Sequence, residues 1–212
     1  IRKTVNRFVK SNDPNDVRIG SEIKGVIDAI TEGAGGDIYK QARTARMQRA
    51  KDFENVALVS NLLGTKRGST DRAIALEDVV RKAIIEPSTS LDQVKHLGGV
   101  ILKKTPQGQQ AWKELQGATL GYIRDEAYKG VTRDAAGNQV ISPANLNRAI
   151  TNLDKTGKLD YLYGKKGAEQ LRTLNEVAQD VFTAPPGAVN TSNTASALMM
   201  SLDTLSTFAT TG

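Results

Sequence analysis

Residues 142–198, SPANLNRAITNLDKTGKLDYLYGKKGAEQLRTLNEVAQDVFTAPPGAVNTSNTASAL, decide the fold of this chain. Ser142 followed by Pro143 is typical of a helix start, because the serine hydroxyl caps the first turn and proline fits the first helical position. A helix is therefore predicted from this point. Its apolar residues recur at helical spacing, and the predicted inward positions are Leu146, Ile150 and Leu153.

The same stretch continues with a connection at residues 154–160, whose opening is similar to that of a calcium loop. The calcium chemistry is missing, because Leu159 stands where the sharp turn needs glycine and Lys165 stands where a bidentate glutamate is required. The connection is therefore predicted to join two helices. The second runs over residues 168–183 and stops before Pro185 and Pro186, which lack the backbone N–H that a helix needs.

The composition favours an all-α protein in which helices form a bundle-like array with breaks at glycine and proline. Aromatic residues make up only 5% of the 212-residue chain, so the core must be built from Leu, Ile, Val and Ala. There is no cysteine, which excludes disulfides and thiol chemistry. No run of 18 apolar residues is present, and the net charge of +6 is compatible with a nucleic-acid partner.

Glycine and proline clusters divide the rest of the chain. A helix is predicted within residues 17–30, where apolar residues recur at near-helical intervals, and the glycines at 33–36 end it. One long helix is then predicted from Asp37 to about Leu63. The cluster at residues 64–70 is the expected boundary, so the predicted regions are 1–64, 65–140 and 141–212. Further helices are predicted at 75–85, at 90–103 and from Pro106 onward.

The predicted helix from Asp37 carries five basic residues between positions 40 and 51, with no acid among them. Spacing of three residues places most of these cations on one ridge that could follow a phosphate backbone. The alternative is a solvated helix face whose long side chains cover apolar neighbours. The candidate nucleic-acid contacts are Lys40, Arg43, Arg46, Arg49 and Lys51.

Motifs for catalysis, cofactor binding or metal binding are absent from the sequence. The cluster GTKRGST at residues 64–70 does not have the spacing of a phosphate loop, since Lys66 precedes the second glycine. His96 is the only histidine and is predicted to be a polar helix residue. No serine nucleophile motif of the GxSxG type occurs. We therefore predict no catalytic residues, no cofactor and no metal, and a protein that is not an enzyme.

Several motifs of the C-terminal third resemble the C-terminal part of large virion-associated proteins of tailed bacteriophages and prophages. The motifs are LNRAI at 146–150, LNEV at 174–177, DVFT at 180–183 and VNTSNTA at 189–195, together with Leu159, Leu162, Gly164, Pro185 and Gly187. The upstream pieces GGDIYKQARTARMQRAKDFEN at 35–55 and ALEDVVRKAIIEP at 75–87 are similar to the helical region that precedes this module in the same family.

This resemblance implies an internal virion protein, or ejection protein, of a short-tailed phage. Such proteins are stored in the capsid, leave it with the genome and help to build a conduit across the host envelope. The implied partners are other virion proteins such as portal, tail or further ejection proteins, other copies of the chain in a homo-oligomer, DNA bound nonspecifically, and the host envelope. Some family members carry a lytic transglycosylase domain, but its Glu-Ser motif is not in these residues.

The resulting hypothesis is a structural virion component that acts by helix packing. Two alternatives stay open: a nonspecific helical DNA-binding module, and a non-catalytic flank of a peptidoglycan-cleaving transglycosylase. Ile1 stands where a methionine would start a complete chain, so a part of a longer protein is expected. A last helix is predicted at 195–210, and it is expected to be either buried against protein or exposed to a partner or a membrane.

Overall fold

The computed structural model describes residues 2–103, 105–130 and 141–183 and the single positions 197, 200, 201 and 204. Within these residues the chain is helical and contains no strand, which confirms the predicted all-α, multi-helix fold. The chain divides into two compact units, Ile1–Asn55 and Val56–Gly212. The helix predicted at 195–210 lies outside the described residues except for the four single positions, which are helical.

The first unit contains helix α1 (Arg2–Val9) and helix α2 (Pro14–Arg49). Asp13 caps α2 by accepting a hydrogen bond from the Asn15 N–H, and Pro14 occupies the first helical position. Gly20 is buried where α2 meets α1. A Cβ atom at this position would lie only 2.9 Å from the Phe8 Cβ and from the Val9 nitrogen. The missing side chain therefore lets the two helices approach closely.

Helix α2 reverses direction at Gly36, whose φ of 59° is in the left-handed region. Arg43, beyond this glycine, reaches back to Asp28 at 2.6 Å and to Glu32 at 2.5 Å. In a straight helix the 15 residues from 28 to 43 would span about 22 Å, which is too far for an ion pair. The two arms of α2, residues 14–35 and 37–49, therefore form a helical hairpin, and the glycine cluster ends the first arm as expected.

The single helix predicted from Asp37 to about Leu63 is wrong, because three elements share this range. Helix α2 ends at Arg49, a π-helical turn occupies Ala50–Glu54, and helix α3 spans Ala57–Leu63. The Asn55 N–H donates a hydrogen bond to the carbonyl of Ala50, five residues earlier, which makes this turn wider than an α-helical one. The backbone of Val56 is extended and separates the turn from α3. The two compact units divide at this point, whereas the sequence placed its first boundary at Gly64 and a second after residue 140.

The second unit contains α3, a 3₁₀ turn (Leu76–Asp78), a π-helical turn (Arg81–Ile85) and helices α4 (Leu91–Ile101), α5 (Pro106–Tyr128), α6 (Pro143–Lys155) and α7 (Lys158–Thr183). The region predicted as a helix at 75–85 is therefore helical with altered winding. The other helix starts are confirmed: Ser90 and Gln93 form a capping box, and Thr105 and Ser142 cap the helices that begin at Pro106 and Pro143.

Helices α6 and α7 are joined by a turn at Gly157, whose φ is 70°. The residues that resemble a calcium loop thus form a helix connection, as predicted. Helix α7 bends at Gly164, where φ is 67°, and this bend brings Arg172 within 2.9 Å of Asp160, twelve residues earlier. The chain therefore changes direction at Gly157 and at Gly164.

The core of the second unit is aliphatic, as the low aromatic content predicts. Leu146, Ile150 and Leu153 of α6 are buried, which confirms the predicted inward face. The only tryptophan of the chain, Trp112, is buried on α5 and makes an edge-to-face contact with Tyr161 of α7 at 5.7 Å between ring centroids. Gly98 of α4 lies against both rings. Helices α4, α5 and α7 thus meet at one aromatic contact.

Candidate functional site

The five basic residues predicted as nucleic-acid contacts lie on the second arm of α2 and on the π-helical turn that follows it. Arg43 is only partly exposed, because both of its terminal nitrogens are held by Asp28 and Glu32 of the first arm. The hairpin therefore brings two acids to residues 40–51, which contain no acid of their own. This arginine stabilises the hairpin, and two acids already neutralise the charge that a phosphate would need.

The other members of the predicted ridge also lie near carboxylates. Glu54 accepts from Arg46 at 2.8 Å and lies 3.9 Å from Arg49, and Asp37 lies 3.8 Å from Lys40. Lys51 is exposed and has no ion pair with any described residue. A phosphate backbone would have to compete with these acids, so the structure offers a weaker phosphate ridge than the spacing of the sequence suggests.

A second surface of α2 is an exposed apolar stripe, which we define as Ile19, Ile23, Val26 and Ile30. Their exposed fractions are 44%, 43%, 59% and 67%. Val17 and Ile27, two further apolar residues of the helix predicted within residues 17–30, are partly buried. Periodicity therefore identified the apolar residues but could not tell which of them stay exposed.

The apolar stripe has the spacing of a coiled-coil seam. Successive members are four, three and four residues apart, so they lie along one side of the first arm of α2. Beside the stripe, Arg18 and Glu22 form an exposed ion pair at 2.9 Å. An apolar seam beside a charged edge is the arrangement by which helices recognise one another in water.

One basic side chain of the second unit is almost completely buried. Lys158, at the start of α7, is 2% exposed, and its ammonium donates to the carbonyls of Ile84 at 2.7 Å and Glu86 at 3.3 Å. Burial lowers the pKa of Lys158. Thr89 donates to the carbonyl of Lys82 at 2.8 Å in the same turn. These side chains cap the carbonyl end of the π-helical turn, so we assign Lys158 a structural role.

Acidic residues near the connection between α6 and α7 are held by Arg172. This arginine contacts Asp154 at 2.5 Å, Asp160 at 2.9 Å and Glu169 at 3.3 Å, and its hydrogen bond with Asp154 is the main cause of its raised pKa. No group of three potential metal ligands occurs among the residues that the structure describes. Because the three acids already share one guanidinium, a metal ion would have to displace it to bind them.

The burial of Tyr163 can be tested through the pH dependence of the free energy of unfolding. Its hydroxyl donates to the carbonyl of Gln116 at 2.8 Å, and burial raises its pKa above the ordinary value of 10.0. Above pH 10 the unfolded chain ionises this phenol while the folded chain keeps it neutral, so stability present below pH 10 is lost as pH rises. The expected slope for this group is about 1.4 kcal/mol per pH unit.

We therefore expect Tyr163→Phe to be less stable than the parent chain by about 1 kcal/mol at pH 8, because one hydrogen bond is lost. The difference should shrink or change sign by pH 11. Unfolding in urea followed by the fluorescence of Trp112 measures both values, and all other titrating groups cancel in the comparison. A constant difference across this range would contradict the assignment.

Comparisons with protein-family models, with curated proteins and with solved structures find no match to this chain. In the described part of the chain, no helix is long and apolar enough to cross a membrane. Function must therefore be argued from the surfaces described above.

Proposed function

We propose that the protein is a structural component of a virion, an internal or ejection protein of a short-tailed phage, which assembles by helix packing and helps to deliver the genome across the host envelope. The single observation that carries the assembly part is the exposed apolar stripe on α2. The phage context is supported by the resemblance of residues 142–195 to virion proteins. The proposed location is the interior of the capsid, followed by the host envelope during infection.

The physical case for assembly rests on the cost of leaving the stripe in water. Burying an aliphatic side chain completely gives about 1.5–3 kcal/mol, so four that are roughly half exposed would contribute about 3–6 kcal/mol per copy before ordering costs. Ile and Val at both seam positions favour more than two helices in a coiled coil. We therefore propose a homo-oligomer in which the apolar stripes of several copies meet.

The stripe is short, so assembly through it needs a high local concentration of the chain. Its residues span only about 17 Å of helix, so one seam supports weak association. A capsid holds its internal proteins at high local concentration, and further virion proteins such as portal or tail subunits would add contacts. The fold also fits a protein that must be stored, released and repacked, because its helices pack mainly against their neighbours in sequence and such local contacts form quickly.

The proposal predicts that Val26→Lys/Ile30→Lys abolishes self-association, because two ammonium groups in the seam cannot be buried without partners. The matched control is Ser21→Lys/Gly25→Lys, which adds the same charge at the same spacing on another side of the helix. Light scattering over a wide range of protein concentration, at low and moderate salt, measures the mass of each chain.

We expect the masses of the parent chain and the control to rise with concentration toward the same oligomer, and the stripe variant to remain monomeric with an unchanged circular dichroism spectrum. A parent chain that is monomeric at every concentration would overturn self-assembly through this surface. Equal masses for all three chains, above that of a monomer, would show that a different surface assembles them.

A further inference from the structure

The segment that joins α3 to the 3₁₀ turn forms a small hairpin at residues 64–73, and we call it the cationic hairpin. Thr65 and Arg72 form an isolated antiparallel bridge. The Ala73 N–H donates to the carbonyl of Gly64 at 2.8 Å, and the Lys66 N–H donates to the carbonyl of Asp71 at 2.9 Å. This backbone pairing does not depend on the side chains, which remain available for other contacts.

The tip of the cationic hairpin is a tight turn. The Ser69 N–H donates to the carbonyl of Lys66 at 3.1 Å, and Gly68 has a φ of 78°, as a type II turn requires. The Ser69 hydroxyl accepts from the Asp71 N–H at 3.0 Å. The turn therefore fixes the backbone on which the basic side chains are mounted.

Three cations lie close together on this hairpin: Lys66, Arg67 and Arg72 are all exposed. None of them forms an ion pair with a residue that the structure describes, although Asp71 is close in sequence. The cations of the ridge at residues 40–49 differ, because each of those has a carboxylate within 4 Å. The cationic hairpin thus combines local positive charge with unoccupied donors.

We infer that the cationic hairpin is a contact site for the phosphate backbone of duplex DNA, bound without sequence preference. Arginine suits this ligand, because its guanidinium matches the geometry of a phosphate and keeps its charge at all relevant pH values. Ser69 and Thr70 lie at the tip, and hydroxyl groups are common donors to DNA phosphates. The inference goes beyond the proposed assembly and uses a different surface.

The residue types of the hairpin favour duplex DNA over two other polyanions. Residues 64–73 contain no aromatic side chain, whereas proteins that bind single strands stack bases on aromatic rings. They also contain no large apolar side chain at the tip, whereas surface binding to anionic membranes combines cations with apolar groups that enter the lipid. Backbone contact to a duplex requires only the charges and hydroxyls that are present.

The experiment measures binding of the full 212-residue chain to two fluorescent duplexes of unrelated sequence by anisotropy, as a function of salt. Three phosphate contacts predict that the logarithm of the affinity falls against the logarithm of the salt concentration with a slope of about −2.7 from this site. Lys66→Gln/Arg67→Gln/Arg72→Gln should bind both duplexes more weakly and reduce the magnitude of the slope by about 2.7.

The matched control is Lys40→Gln/Arg46→Gln/Arg49→Gln, which removes the same charge from the paired ridge. We expect it to keep most of the affinity and the salt slope of the parent chain. The inference is overturned if the hairpin variant binds like the parent, if the control loses as much as the hairpin variant, or if the chain binds vesicles rich in phosphatidylserine but no duplex. The light-scattering masses are a separate readout, so assembly and DNA contact can fail independently.

Discussion

Replacing Lys158 with methionine should lower the free energy of unfolding of the second unit by roughly 2 kcal/mol. The substitution keeps most of the side-chain volume and removes the ammonium that donates to Ile84 and Glu86. The buried Ile84 carbonyl loses this donor, which costs about 1–3 kcal/mol. The Glu86 carbonyl keeps a partner, because it also accepts from the Thr89 N–H at 3.1 Å. The folded state also stops burying a charge, which offsets part of this loss. Burial disfavours the charged form of Lys158 and so lowers its pKa.

Unfolding in urea, followed by the fluorescence of Trp112, measures this effect in the second unit alone, because the chain has no other tryptophan. Lys155→Met is the control, since Lys155 is exposed at the end of α6 and its replacement should change stability by less than about 0.5 kcal/mol. Equal stability of the Lys158 and Lys155 variants would mean that the cap of the π-helical turn contributes nothing.

Local signals in the sequence were enough to predict most helices. Each confirmed helix start has a capping side chain followed by a proline or a capping-box glutamine, and these signals act within about one helical turn. The break between Arg49 and Ala57 was missed because no glycine or proline marks it. A π-helical turn needs only one widened hydrogen bond, and residue propensity does not report it.

The candidate surfaces were less predictable, because they depend on contacts that are distant in sequence. Residues 40–51 contain no acid, and only the reversal at Gly36 brings Asp28 and Glu32 beside Arg43. From the sequence alone the apolar stripe is indistinguishable from a buried face, and only the fold shows that it is exposed. The three cations around Gly68 could have suggested the cationic hairpin, but only the fold shows that they are exposed and form no ion pair with a described residue.

Two adjacent glycines of α4 should respond in opposite directions to alanine. A Cβ atom at Gly98 would overlap the Tyr161 hydroxyl and lie 3.1 Å from the Trp112 ring, whereas a Cβ atom at Gly99 meets nothing within 4 Å. Alanine favours a helix over glycine by about 1 kcal/mol at either position. Overpacking costs about 1–3 kcal/mol, so Gly98→Ala should be destabilising on balance and Gly99→Ala stabilising.

A double-mutant cycle identifies the cause of the expected difference. Tyr161→Phe removes the hydroxyl that a methyl group at position 98 would overlap, together with its long hydrogen bond to the carbonyl of Lys95 at 3.4 Å. If the overlap sets the loss, Gly98→Ala should cost less in the Tyr161→Phe background, and the two changes should not add. Additive losses would instead mean that the Trp112 ring limits the approach of α4. Gly99→Ala should add to Tyr161→Phe in either case, because its side chain contacts neither ring.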